Sequence, residues 1–370
     1  MSSARPSPRG LDPDTLGRVE TNPKRIASAL EAAIDKARRN REGAPATYIP
    51  ELANVPLEVT SAAVTLVDGT CIQAGDVAAP PFTFQSSAKL VSLAGLLEER
   101  GPVEVFASVG SEPSGDAFAS MARLETHSPK PANPLINSGA IALCGQLRGS
   151  VSQRIAWLSC WAERLYGVPI EVDARVLASE RATGDRNRAL AYFLKAAGEL
   201  RGDVDETLEV YFALCSLRGS VAQASHLPAV LATGGSRPGS GQRVLGKATV
   251  AIIVSLMATC GMYNESGNYL IATGMPAKSG VSGVIVAVVP GIAGIAVYSP
   301  RLNDKGGSVR GHIILREVSR RLGWHLALTQ PRLDGMPPAA GGGSAPGGIA
   351  PGGVRGDERD TPATPPDPEP

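Results

Sequence analysis

The sequence predicts an α+β protein, and three observations carry that reading. Two strand pairs stand near opposite ends of the patterned region, one at 59–74 and one at 280–300, each with its own turn signal. The stretch between them has helical periodicity, and no strand-helix-strand alternation or GxGxxG after a strand points to a doubly wound sheet. An antiparallel sheet completed by the C-terminal strands, flanked by helices and carrying an inserted helical subdomain, satisfies all three.

Each element has a local cause. From Val59 to Ala74 apolar residues alternate with small or polar ones around Asp68-Gly69, a two-residue hairpin signal. Ser87 to Glu99 places Leu90, Leu93, Ala94 and Leu97 on one helical face, and 151–165, 186–200 and 245–260 are long enough for helices. Gly234 to Gly241 lacks a P-loop lysine and reads as a loop. Val284 to Tyr298 is the most apolar stretch, but it is shorter than the ~20 residues that cross a bilayer and is broken by Pro290-Gly291. It therefore reads as two buried strands joined by a turn. An amphipathic helix from Ser308 to Leu322 closes the pattern.

Composition sets the outer limits. Residues 25–333 are the expected catalytic domain; 1–24 read as a loosely ordered segment and 334–370, rich in Gly and Pro, as a disordered tail. With 36 basic and 35 acidic residues the net charge is +1, so no long-range field attracts nucleic acid or an anionic membrane. A small-molecule ligand is the expected partner. The opening residues are polar, which gives a cytoplasmic expectation. Cys71, Cys144, Cys160, Cys215 and Cys260 form no CxxC, and the four histidines are scattered, so cysteines that fill the core and chemistry without metal or cofactor are expected.

Ser86-Ser87-Ala88-Lys89 is the strongest chemical signal, because three residues apart on a helix means one face. A serine hydroxyl is a poor nucleophile at neutral pH, and a lysine can take its proton only when burial or nearby positive charge keeps the amine neutral. Backbone N–H groups at the helix start could also stabilise an oxyanion. Alone, the motif reads as a capping serine and an exposed lysine. A second motif downstream, Lys278-Ser279-Gly280, parallels the K-[ST]-G element of serine β-lactamases and penicillin-binding DD-transpeptidases, although no S-D-N lies between the two.

The flanking residues resemble the serine-dependent glutaminase family. The matching blocks are Tyr48-Ile49-Pro50-Glu51-Leu52-Ala53, Phe84-Gln85-Ser86-Ser87-Ala88-Lys89, Val109 to Gly115 and Asn133 to Ala140. They continue with Ser179-Glu180, Thr183 to Arg188, Cys260-Gly261-Met262-Tyr263 and Pro276 to Val281. The resemblance implies a serine β-lactamase-like fold and hydrolysis of L-glutamine to L-glutamate and ammonia through a serine acyl-enzyme. It also implies Ser86 as nucleophile, Lys89 as general base, and the N–H groups of Ser86 and Val281 as the oxyanion hole. Asn137, Glu180, Asn187, Tyr211 and Tyr263 match substrate-contacting positions, and Tyr48 matches a tyrosine that closes over the pocket. Either Tyr48 or Tyr263 could deliver the proton to departing ammonia. Relatives commonly assemble as homodimers or homotetramers.

Seen singly, Asn137 and Asn187 also fit helix caps or turns, Glu180 a surface carboxylate, and the tyrosines core aromatics. The chain departs from the family pattern at Leu214, where relatives carry glutamine, at Ser282 and Val284, where they carry glycine, and at Phe118-Ala119-Ser120 and Thr233. Two other readings stay open: a serine amidohydrolase of the same fold with another substrate, and a catalytically weakened glutamine-binding homologue.

Overall fold

The computed structural model describes residues 19–115, 122–126 and 128–328. The chain divides after Gln330, so the expected tail lies outside the described residues, as do 1–18 and Phe118-Ala119-Ser120.

Period-two patterning builds one five-stranded antiparallel sheet. Strand β1 (Ser61–Leu66) pairs with β2 (Cys71–Gly75) across the Asp68-Gly69 turn, where Gly69 has φ 91° and the Asp68 carboxylate accepts from Thr70 N at 2.8 Å. Residues 82–83 form β3, Glu171–Val172 form β4 and Leu217–Gly219 form β5, which make a small second sheet. The main sheet is completed by β6 (Ala277–Gly280), β7 (Val284–Val289) and β8 (Ala293–Tyr298), in the order β2-β1-β8-β7-β6. The hairpin expected at Pro290-Gly291 is present, with Gly291 at φ 75°.

Both faces of this sheet are covered. Ala63, Val284, Val286, Val288 and Ala296 face one hydrophobic cluster, while Val64, Ile285, Ala287, Val289 and Val297 face another. That is why β7 shows no polar alternation. Helix α1 (Pro23–Arg38) packs with the C-terminal helix (Val309–Leu322) on the second face. On the first face, a helix at Val221–Ala232 presses so close that a Cβ on Gly294 would lie 2.1 Å from Ala229 N. Residues 19–24 are not loose: Asn22 caps α1, and Trp324 Nε1 donates to Glu20 O at 2.8 Å.

Helix α2 (Pro50–Ala53) lies in a strap between α1 and β1. The inserted helices are α3 (Lys89–Ser108), α4 (Ala122–Thr126), α5 (Asn137–Gln146), α6 (Val151–Tyr166), α7 (Ala174–Thr183), α8 (Asp185–Ala196) and α9 (Val204–Cys215). The helix packed on the sheet is α10, followed by α11 (Lys247–Cys260), α12 (Ser266–Thr273) and the C-terminal α13. In α3 the expected amphipathic stripe is replaced by burial all round, since every residue from Lys89 to Leu97 is buried. The helix runs on past Glu99 across a bend at Gly101, which has φ 74°. Cys144, Cys215 and Cys260 fill the core as expected, but Cys71 and Cys160 are exposed. Hydrophobic spacing reports helix and strand faces; it does not say how deeply a small cysteine will sit.

Candidate active site

Ser86 lies on a 3₁₀ turn, Gln85–Ala88, wedged between β3 and α3. It does not cap a regular helix. Gln85 adopts φ 49°, a left-handed conformation that costs a non-glycine residue about 1–3 kcal/mol and persists only where its surroundings hold it. Here the Gln85 side chain donates to Thr83 Oγ1 at 3.3 Å and neighbours the Glu180 carboxylate, whose ionised form it favours. The turn leaves Ser86 7% exposed, at the edge of the interior.

Lys89, one turn on, is completely buried and not the exposed lysine of an isolated motif. Its Nζ donates to Asn137 Oδ1 at 2.7 Å and to Leu135 O at 3.2 Å. Burial lowers its pKa to about 8, so a minor but appreciable fraction is neutral near physiological pH, far more than for an ordinary lysine. Lys278, from the second motif, is also fully buried and donates to the Tyr263 hydroxyl at 2.9 Å and to Ser279 O at 2.7 Å. Burial, reinforced by the charge of Lys89, pushes Lys278 well below the usual lysine range.

Tyr263 connects the two. Its hydroxyl has Ser86 as a neighbour, which opposes the upward push of burial on its pKa, and its ring centroid lies 4.0 Å from Lys278 Nζ and 5.8 Å from Lys89 Nζ. Like Gln85, Tyr263 has a left-handed backbone, φ 54°. Ser266 Oγ donates to Tyr263 O, and Gly261 permits the approach to β6, because a Cβ there would fall 1.8 Å from Ala277 O.

Asn137 opens α5, but Ile136 occupies the cap position and the Asn137 side chain faces the site, donating to Asn187 Oδ1 at 3.0 Å. Glu180 is 5% exposed, not a surface carboxylate; burial raises its pKa to about 7 against the pull of Gln85 and Lys89. Tyr211 is buried on α9, one turn before Cys215; burial and the neighbouring Cys215 and Glu180 raise its pKa well above the usual phenol range. Tyr48 keeps 47% of its surface exposed, yet its hydroxyl points inward: burial and the neighbouring Glu180 carboxylate raise its pKa well above the usual phenol range. Val281 follows β6 directly. A Cβ on Gly280 would lie 2.5 Å from Phe84 O, so the chain entering Val281 is laid against the chain entering Ser86.

The structure thus gathers Ser86, Lys89, Asn137, Glu180, Asn187, Tyr211, Tyr263, Tyr48 and Val281 around one centre. Sequence reasoning had not placed Lys278, Gln85 or Cys215 among the site residues; the K-S-G spacing was the available signal for the first. Among the departures, Leu214 is fully buried in the main core, and Val284 pairs with Gly280 and fills the space above it. Ser282 is 3% exposed and its Oγ has no hydrogen-bond partner among the described residues.

An antiparallel sheet clothed in helices, with a serine beside a buried amine and a phenol, defines a hydrolase site of the acyl-transfer kind. The glutaminase family model matches residues 43–326. The glutaminase of Legionella pneumophila (strain Corby) is 49% identical over 299 residues, which cover 81% of this chain and 96% of the relative. A solved structure of the probable glutaminase ybaS superposes with a TM-score of 0.80 at 37% identity, covering 82% of this chain and 99% of that one. Mglu in its glutamate form gives 0.77 at 35% identity, covering 84% and 70%. The chain belongs to the glutaminase family.

Proposed function

We propose that this glutaminase cuts the side-chain amide of L-glutamine through a glutamyl ester on Ser86. The observation that carries the reading is two fully buried lysines around Ser86: Lys89, three residues on at the start of α3, and Lys278, whose Nζ donates to the hydroxyl of Tyr263, a neighbour of Ser86. Neutral Lys89 takes the Ser86 proton as the oxygen attacks the amide carbon. The N–H groups of Ser86 and Val281 receive the negative charge on the carbonyl oxygen. Collapse of the tetrahedral adduct expels ammonia with a proton from the Tyr263 hydroxyl, which Lys278 backs with its own N–H. Tyr263 is favoured over Tyr48 for this step because its hydroxyl accepts from Lys278 at 2.9 Å and neighbours Ser86. Water then attacks the ester and gives its proton to the Tyr263 phenolate, and the ester C–O bond breaks to release glutamate as Lys89 returns its proton to the Ser86 oxygen.

Glu180 suits the α-ammonium of the substrate, Asn137 and Asn187 suit its α-carboxylate, and Tyr211 and Tyr48 add phenolic hydrogen bonds. The glutamate form of Mglu, a solved relative, supports an amino-acid ligand in such a site. Homodimer or homotetramer formation is expected from the family resemblance and is read by light scattering. The decisive test of function is ammonia release from L-glutamine by the wild type beside Ser86→Ala, with L-asparagine as control. Full activity in Ser86→Ala would overturn the mechanism. A silent wild type that glutamine nevertheless stabilises against heat would favour a binding homologue.

A further inference from the structure

The strap at 41–58 carries more than Tyr48. Its two ends are stapled together by two arginines. Arg301 Nη1 donates to Arg41 O at 2.7 Å and Gly43 O at 3.3 Å, while its Nη2 donates to Glu58 Oε1 at 2.6 Å. Arg310, fully buried, donates to Asn40 O at 2.9 Å, Glu58 O at 3.2 Å and Glu58 Oε2 at 2.6 Å. Ala44 and Leu302 exchange backbone hydrogen bonds of 3.0 and 2.8 Å, which fixes the first limb. Between these anchors, the strap's apolar residues reach the site through a small cluster separate from the two main cores: Ile49, Leu52, Val281 and Leu302, with Ala46 at its edge. Ile49 has no exposed surface although its neighbour Tyr48 is half open to solvent.

The turn that holds Val281 is gripped on three sides. Gly280 lies against Phe84 O; Gly283, at φ 100°, lies where a Cβ would be 2.1 Å from Ser299 O; and Gly283 N donates to Gly280 O at 2.9 Å. Those contacts involve backbone without side chains. Within 280–283 the Val281 side chain is the one apolar handle, and Ile49 sits in the cluster that holds it.

We propose that Ile49 is a positioning residue for catalysis, seating the Val281 side chain so that the Val281 N–H is aimed at the oxyanion. The inference rests on the assignment of Val281 N–H to that hole. A donor of this kind acts only where it is pre-aimed, since catalysis depends on dipoles that need no reorganisation as charge develops. Tyr48 lies at the half-open edge of the site while Ile49, its neighbour in the chain, sets the donor.

The test measures kcat, KM and glutamate affinity for wild type, Ile49→Ala, Ile49→Val and Leu302→Ala. The expected result for Ile49→Ala is a fall in kcat of about 10–100-fold, below the full loss of one oxyanion donor, with glutamate affinity within about threefold of wild type. Ile49→Val, which keeps a branched side chain, restores most of kcat. Leu302→Ala, which removes another wall of the cluster, shows the same kcat-selective loss on a smaller scale and serves if Ile49→Ala does not fold. Unchanged kcat in Ile49→Ala and Leu302→Ala, or a parallel fall in kcat and glutamate affinity, would overturn the proposal. Failure of the underlying mechanism shows elsewhere, as retained turnover in Ser86→Ala, so the two failures are distinguishable.

Discussion

The floor of the site and the strap over it handle solvent in opposite ways. In the floor, Lys89 and Lys278 have no exposed surface and every polar contact described for them is to protein. In the strap, Tyr48 keeps 47% exposure, and the segment is held at its ends by arginine staples of which Glu58 is the shared acceptor. Burial sets the chemistry in the first region; anchoring sets the geometry in the second. The Glu58 carboxylate, held to about 2 by its hydrogen bonds to Arg310 and Arg301, stays charged throughout the working range, so the staple does not titrate. The floor does titrate, and the largest expected effects lie there.

Lys89→Met breaks the floor. The expected loss is about 10³–10⁴-fold in kcat, the scale at which removal of a general base from a working unit is felt. The same variant should be more stable than wild type. Burial depresses the folded-state pKa from 10.5 to about 8, so ionised Lys89 costs on the order of 3 kcal/mol at pH below 8, and the cost fades as pH rises toward 10.5. Urea unfolding of both proteins at pH 6 and pH 10 checks the sign: the stability gap should be wide at the lower pH and narrow at the higher.

The wild-type pH profile sharpens the same point. Glu180 ionises near 7 and Lys89 becomes neutral near 8, so kcat/KM should climb by at least about 100-fold from pH 6 to pH 9. A flat profile over that range would remove both assignments. Since the folded pKa of Glu180 is raised from 4.5, its contribution to stability is fully present below 4.5 and is lost as pH passes 7, opposite in direction to Lys89.

Glu180→Gln should raise KM by about 10–100-fold, the worth of a buried charge-assisted hydrogen bond to the substrate ammonium. In the strap, Tyr48→Phe removes one hydroxyl from a half-open residue, and a loss of about 3–10-fold in kcat/KM is expected. If Tyr48→Phe proved as damaging as Lys89→Met, the division between floor and strap would fall. The smallest effect on turnover is expected from Leu214→Gln, which restores the family residue. Leu214 is fully buried in the apolar core, so activity should change less than about twofold while stability drops by about 1–3 kcal/mol for the unpaired amide, readable by thermal and urea unfolding.

Some of this was legible without coordinates because the information is local. The Asp68-Gly69 and Pro290-Gly291 hairpins announce themselves through residues that favour left-handed backbone, and the helices at 151–166 and 309–322 through apolar period and caps. The three-residue spacing of Ser86 and Lys89 also survives, although a 3₁₀ turn and not a regular helix start holds the serine. Other features were misjudged for one reason: burial belongs to the neighbours of a residue. Asn137 looks like a cap until Ile136 takes that place and Lys89 claims its amide oxygen. Leu214 looks like a pocket substitution until the rest of α9 turns it into the core.

The amino-acid order by itself determined the fold class, the two hairpins and the paired S-x-x-K and K-S-G motifs. These follow from backbone preferences and spacing over a few residues. Tertiary structure alone decided that both lysines lose their water, that the Tyr263 hydroxyl accepts from Lys278 in the neighbourhood of Ser86, and that a strap anchored by arginines far away in sequence places Ile49 in one apolar cluster with Val281. The physical reason is that desolvation and close packing are properties of segments brought together, and no window of sequence contains both partners.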